Sequence, residues 1–129
     1  IVADAGYDAI EPSGGGGESM IGKSGLDGLP SKVVKSPEDE NYFLPTVNEI
    51  KPIVDDCPVI LMGGVRNPLF TEKILRDKAA EFVSMSRPLI YEPHLPNRWK
   101  NGDTSPALCT SCNECYMSVL VGALHCIYK

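Results

Sequence analysis

Three short apolar runs, each opening into glycine or polar loop residues, most restrict what this chain can become. They are Asp8-Ala9-Ile10-Glu11 before Pro12-Ser13-Gly14-Gly15-Gly16-Gly17, Pro58-Val59-Ile60-Leu61-Met62 before Gly63-Gly64-Val65-Arg66, and Glu81-Phe82-Val83-Ser84-Met85 before Ser86-Arg87-Pro88. Between the first two, Phe43, Leu44, Val47, Ile50 and Val54 recur at helical spacing over about residues 42 to 54. Pro45 is tolerable in the first turn of that helix and Pro52 should kink its end. Between the second and third runs, Asn67 stands as an N-cap, Pro68 at the first helical position, and Glu72 and Arg76 four residues apart as a pair. The order is βαβαβ. Strands that are apolar on both faces and alternate with helices indicate a parallel sheet with helical crossovers. Such a sheet is either open and doubly wound or closed into a barrel, and periodicity does not decide between them.

Residues 18 to 41 show little period and are too long for an ordinary β-to-α turn. A loop of that kind after a parallel strand is either a substrate lid or plain surface chain. With 129 residues, 43% of them hydrophobic, the chain can bury one core. The net charge of −5 and the lack of any basic run argue against nucleic acid, so a phosphate site here has to be local. No apolar run approaches the roughly 18 residues that span a bilayer. The opening Ile1-Val2-Ala3-Asp4 lacks the features of a signal peptide, and the expectation is a cytoplasmic protein with no membrane partner. The chain starts without Met, in what reads as the last turn of a helix, which suggests that its N-terminal side is missing.

Four of the five cysteines crowd the last 21 residues, a poor layout for a disulfide framework. Cys57 stands apart before a strand and reads as a small buried hydrophobe. The tail runs Cys109-Thr110-Ser111-Cys112-Asn113-Glu114-Cys115, with Cys126 ten residues further on. Three cysteines at two-residue gaps can wrap one cubane while a fourth arrives from farther along, so Cys109, Cys112, Cys115 and Cys126 read as ligands of a [4Fe–4S] cluster. Structural zinc more often uses two separated C-x2-C knuckles or a Cys/His mixture, and is the less favoured occupant; unmetallated thiols are the third reading. His125 reads as a surface histidine, and Trp99 and Tyr116 as packing residues around the tail.

Gly63 and Gly64 directly after a strand allow backbone N–H groups to approach an anion, with the helix opened by Asn67-Pro68 behind them. Ser86 and Arg87 hold the equivalent place after the next strand. Bare backbone on one strand end and a guanidinium on the next match the phosphate grip that barrels build after strands 7 and 8. The plainer alternatives are a glycine turn and an arginine held in a structural ion pair.

The run Val59 to Arg66, then Phe82 to Ile90, then Glu92-Pro93-His94-Leu95-Pro96-Asn97-Arg98, resembles the last two barrel strands of the old yellow enzyme family. The likeness is strongest to its NADH:flavin oxidoreductase and 2,4-dienoyl-CoA reductase branch. Ala5-Gly6-Tyr7-Asp8-Ala9-Ile10 with Ser13-Gly14-Gly15 is similar to the strand 6 region of that family. The resemblance implies an α/β fold, a parallel (β/α)8 TIM barrel of which residues 1–104 supply strands 6 to 8, followed by a four-cysteine tail at 105–129. It implies FMN, with the backbone of Met62, Gly63 and Gly64 and the Ser86-Arg87 loop at its phosphate. The branch carries a similar four-cysteine motif directly after its barrel, with a third gap one residue longer. NAD(P)H or a reduced electron-transfer protein is the implied donor and a small enone or enoyl compound the implied substrate. The remainder of the barrel would come in cis or as a separate chain. A flavin carries the hydride chemistry in such enzymes while the protein supplies position and electrostatics. The catalytic acid belongs to strands 1 to 5, so none is named here. Two other function classes stay open on the residues alone: a small iron–sulfur or zinc module for electron transfer or interaction, and a phosphate-binding barrel lyase or isomerase.

Overall fold

The computed structural model describes residues 3–14 and 31–129. Gly15, Gly16 and Gly17 of the glycine run, and residues 18 to 30 of the expected loop, lie outside the described residues. Strand β1 is Ile60–Leu61 and β2 is Phe82–Val83, paired in parallel with Ile60 opposite Phe82 and Leu61 opposite Val83. On the other side of β1, Ile10 forms a parallel bridge to Val59, through Ile10 N–H to Pro58 O at 2.9 Å and Ile60 N–H to Ile10 O at 2.8 Å. All three expected strands are therefore neighbours, in sequence order and pointing one way. They are shorter than the apolar runs. Phe82 is 56% exposed, because it is registered with Ile60 and so lies on the sheet face opposite Leu61 and Val83, away from the core cluster.

The helices are α1 (Leu44–Ile50), α2 (Pro68–Arg76), α3 (Arg87–Tyr91), α4 (Leu95–Lys100) and α5 (Glu114–Ser118). Pro45 sits in the first turn of α1, and the regular helix ends before Pro52, shorter than the expected 42 to 54. Asn67 caps α2: its Oδ1 accepts the N–H of Leu69 at 3.0 Å and of Phe70 at 3.4 Å. The ion pair formed on this helix is Lys73 with Asp77 rather than Glu72 with Arg76, and both partners are exposed. One core cluster holds Val47 of α1, Val54, Val59 and Leu61 along β1, Ile74 of α2, and Ala80. Residues two apart on a strand share a face, so Val59 and Leu61 put both crossover helices against the same side of the sheet. Each such fully buried side chain contributes about 1.5–3 kcal/mol. Cys57 is half-buried at the margin of this cluster rather than inside it, with its Sγ 3.6 Å from Tyr7 O.

Glu81 closes the start of the β1–β2 ladder. Its Oε2 accepts Val59 N–H at 2.9 Å while Oε1 pairs with Lys51, at the end of α1. The Lys51 hydrogen bond first, and then the Val59 amide, hold the Glu81 carboxyl below its ordinary value of 4.5. A depressed carboxyl stabilises the fold above its unfolded-state pKa and loses that contribution as pH falls through the folded one. Glu81→Gln should therefore cost about 1 kcal/mol or less near neutrality, the pair being partly exposed. Urea midpoints of wild type and variant should differ at pH 7 and converge as pH falls through the lowered carboxyl pKa; a difference that persists once the carboxyl is protonated would rule out the charge as its source.

Candidate functional site

A cleft of about 130 Å³ opens at the C-terminal ends of the parallel strands. Glu11, Met62 and Met85, the residues at the ends of the three runs, all line it, as expected for strands pointing to one face. So do Gly63, Gly64, Ser86 and Arg87. The two loops singled out from the sequence are thus brought together. Among the described residues, neither the Gly64 nor the Ser86 N–H has a hydrogen-bond partner. Two departures stand out. The first amides of α2 are taken up by the Asn67 side chain and do not reach the cleft. The glycine pair, at φ +95° and +76°, lies under the turn of residues 41 to 43, where a Cβ on Gly63 would stand 2.6 Å from the Tyr42 ring. Those glycines serve close approach of a side chain as well as bare backbone.

Arg87, at the start of α3, forms no ion pair with another of the described residues. Its Nη1 donates to Lys32 O at 3.0 Å, Ser111 O at 3.1 Å and Asn113 Oδ1 at 2.5 Å. Nε and Nη2 have no partner among the described residues and belong to the side chain that lines the cleft. Arg66, which the sequence reading passed over, is a second guanidinium on the wall. It donates to Ala107 O at 3.2 Å, its own carbonyl accepts Ala107 N–H at 2.9 Å, and its buried Nε is without a partner among the described residues. Ser111 also lines the cleft. Hence the segment carrying the cysteines is tied to both strand-end loops and forms part of the cleft wall.

The four tail cysteines are free thiols, with Cys109 buried and the other three half-buried. Ser111 N–H donates to Cys109 Sγ at 3.4 Å, and Ser111 and Asn113 take left-handed conformations (φ 55° and 70°) that curl the loop. Burial pushes the Cys115 thiol above its ordinary value, and Cys109, Cys112 and Cys126 push in the same direction while Arg87 opposes them. The four sulfurs are therefore near enough to be felt at one of them. Among the described residues, however, no group of three or more His, Cys, Asp or Glu side chains is gathered closely enough to hold a metal ion. The donor set fits a cluster in kind; ligating geometry is not formed. His125 is exposed, with Nδ1 2.7 Å from Ala123 O. Trp99 Nε1 donates to Ser105 O at 3.0 Å, packing at the base of the tail as expected. No helix among the described residues is long and apolar enough to cross a membrane.

Fold and cleft together define a parallel α/β unit with an anion-sized opening at its strand ends. No protein-family model matches the chain. It is 31% identical over 93 residues to the 4,4'-dithiodibutanoate disulfide reductase of Rhodococcus erythropolis, covering 72% of this chain and 22% of that protein. It is 32% identical over 114 residues to an NADH oxidase of Thermoanaerobacter brockii, covering 88% and 16%. With the NADH-dependent flavin oxidoreductase iliE of Neonectria sp. it shares 32% over 102 residues, covering 74% and 13%. These similarities support kinship with a flavin oxidoreductase family. The chain spans about a fifth of the length of the first two relatives.

Proposed function

We propose that this chain supplies strands 6 to 8 of an eight-stranded parallel barrel in an FMN-dependent NAD(P)H oxidoreductase of the old yellow enzyme type. The observation that carries the reading is the meeting of the Gly63-Gly64 and Ser86-Arg87 strand ends in one cleft, with amides on both that have no partner among the described residues and a guanidinium on the second. Sequential parallel strands with both crossovers on one face favour a barrel segment over a sheet wound on two faces. The cleft is well below the roughly 300 Å³ of a typical cofactor pocket. It suits the phosphate end of FMN, with the backbone of Met62, Gly63 and Gly64 on one side and Ser86 and Arg87 on the other, and the ring system would rest on the remainder of the barrel. Cys109, Cys112, Cys115 and Cys126 would hold a [4Fe–4S] cluster, zinc being the less favoured occupant. Bound in these places, flavin supplies hydride transfer and the cluster single-electron transfer. The names of the relatives support NADH as donor; an electron-poor alkene or enone is the acceptor we infer from the motif resemblance.

An ultraviolet–visible spectrum of the full protein purified without oxygen, with iron and sulfide assays, tests this directly. Flavin bands over a broad cluster absorption are expected. A flavin-free protein would sink the oxidoreductase reading. Flavin accompanied by stoichiometric zinc, or by no metal, would remove the electron relay and leave the flavin assignment standing.

A further inference from the structure

The cleft is bounded partly by strand ends and partly by residues that come from outside the sheet: Ser31, Tyr42 and Ser111. Tyr42 is the largest of the three, and its ring lies across the glycine pair. A Cβ on Gly63 would stand 2.6 Å from Tyr42 Cε2 and 3.0 Å from Cδ2, and one on Gly64 would stand 3.1 Å from Cδ1 and 3.2 Å from Cε1. Both long edges of the ring are therefore set against the backbone that lines the anion end of the cleft. We infer that Tyr42 is a specificity-determining residue: its ring closes that end, so that the site accepts a terminal phosphate monoester, as in a mononucleotide, and refuses the pyrophosphate diester of a dinucleotide.

The reason lies in the room left and in the stiffness of what closes it. A phosphate monoester ends at its phosphate, whereas a pyrophosphate continues through a second phosphate and a nucleoside, which need a way out past the first. The cleft holds about 130 Å³, less than half of the roughly 300 Å³ at the lower end of ligand pockets. Nor can the ring swing aside at small cost. Tyr42 N–H is tied to Gly63 O at 3.1 Å, and the Phe43 ring, 4.9 Å away, itself packs against the core cluster. The Lys32 ammonium lies over the Tyr42 ring at 5.4 Å while the Lys32 carbonyl accepts from Arg87 at 3.0 Å, which ties the ring and the guanidinium into one wall. Forcing a larger group into a packed site of this kind costs about tenfold to a hundredfold in affinity. The Tyr42 hydroxyl has no partner among the described residues, so the shape of the ring and not its phenol closes the cleft.

The inference rests on the functional reading above, and the test separates the two. FMN and FAD are each titrated by fluorescence quenching into the full protein freed of flavin, and inorganic phosphate is then used to compete with FMN. Wild type should bind FMN about tenfold or more tighter than FAD. Tyr42→Ala, and the milder Tyr42→Leu, should bring the two Kd values together by tightening FAD, with competition by inorganic phosphate little changed. Tyr42→Phe keeps the ring and should keep the full preference. FAD bound by wild type as tightly as FMN, a preference unrelaxed in both Tyr42→Ala and Tyr42→Leu, or one lost in Tyr42→Phe overturns the inference while leaving the oxidoreductase in place. Equal weakening of FMN, FAD and phosphate in the first two variants would show that Tyr42 only supports the glycine pair, and overturns it as well. A protein that takes up neither flavin overturns the functional reading and this inference with it.

Discussion

Arg87→Ala is expected to lower the affinity of the full protein for FMN about a hundredfold, so that the variant purifies largely free of flavin. The residue lines the cleft with Nε and Nη2 unpartnered among the described residues, so a phosphate there would receive charge-assisted bonds from a planar fork. Losing such contacts costs about 2–3 kcal/mol, and each 1.4 kcal/mol is tenfold in Kd. The three bonds from Nη1 to Lys32 O, Ser111 O and Asn113 Oδ1 disappear as well, so the cysteine loop should also loosen. Arg87→Lys keeps the charge but cannot reach the loop and the cleft at once, and should fall between the two. Flavin titration after unfolding and refolding without cofactor measures the effect. Unchanged FMN affinity in Arg87→Ala would mean that the guanidinium serves only to dock the tail.

Gly63→Ala should destabilise the fold by about 3 kcal/mol. At φ +95° an L-residue is strained, which costs about 1–2 kcal/mol. The added Cβ would also stand 2.6 Å from Tyr42 Cε2 and 2.7 Å from Phe43 Cδ2, and overpacking of that kind costs about 1–3 kcal/mol. Neither ring can give way cheaply. Phe43 packs against the core cluster, the two rings lie 4.9 Å apart, and Tyr42 N–H is tied to Gly63 O at 3.1 Å. Gly122→Ala is the control, since its Cβ would meet nothing within 4 Å and its change should stay within about 0.5 kcal/mol. Urea midpoints that shift equally in the two variants would show that the Tyr42 turn does not rest on the glycine pair.

The features legible in the chain were those coded locally. Asn67-Pro68 at the start of α2 and Pro45 in the first turn of α1 follow from capping and from the geometry of proline, which need only near neighbours. Apolar runs followed by glycine marked the three neighbouring strands, because a buried strand and a tight exit each leave a short signature. From that alone, the meeting of Gly63-Gly64 with Ser86-Arg87 could be expected. Asn in the left-handed region is favoured over most residues, so Asn113 between two ligand-type cysteines was a signal that could have been read.

Tertiary contacts settled the rest. Whether Arg87 would face an ion pair, a ligand or a loop depended on partners 24, 26 and 55 residues away, which no window of sequence brings together. The same is true of Tyr42 on the glycine pair and of Ala107 on Arg66. The strands came out shorter than their apolar runs because a ladder extends only as far as a neighbour accompanies it, and β2 has none on its outer side among the described residues. Periodicity reports which residues avoid water. Which groups face one another across the resulting interior is decided only when the chain has closed on itself, because a hydrogen bond is satisfied by whatever donor or acceptor the packing brings within about 3 Å.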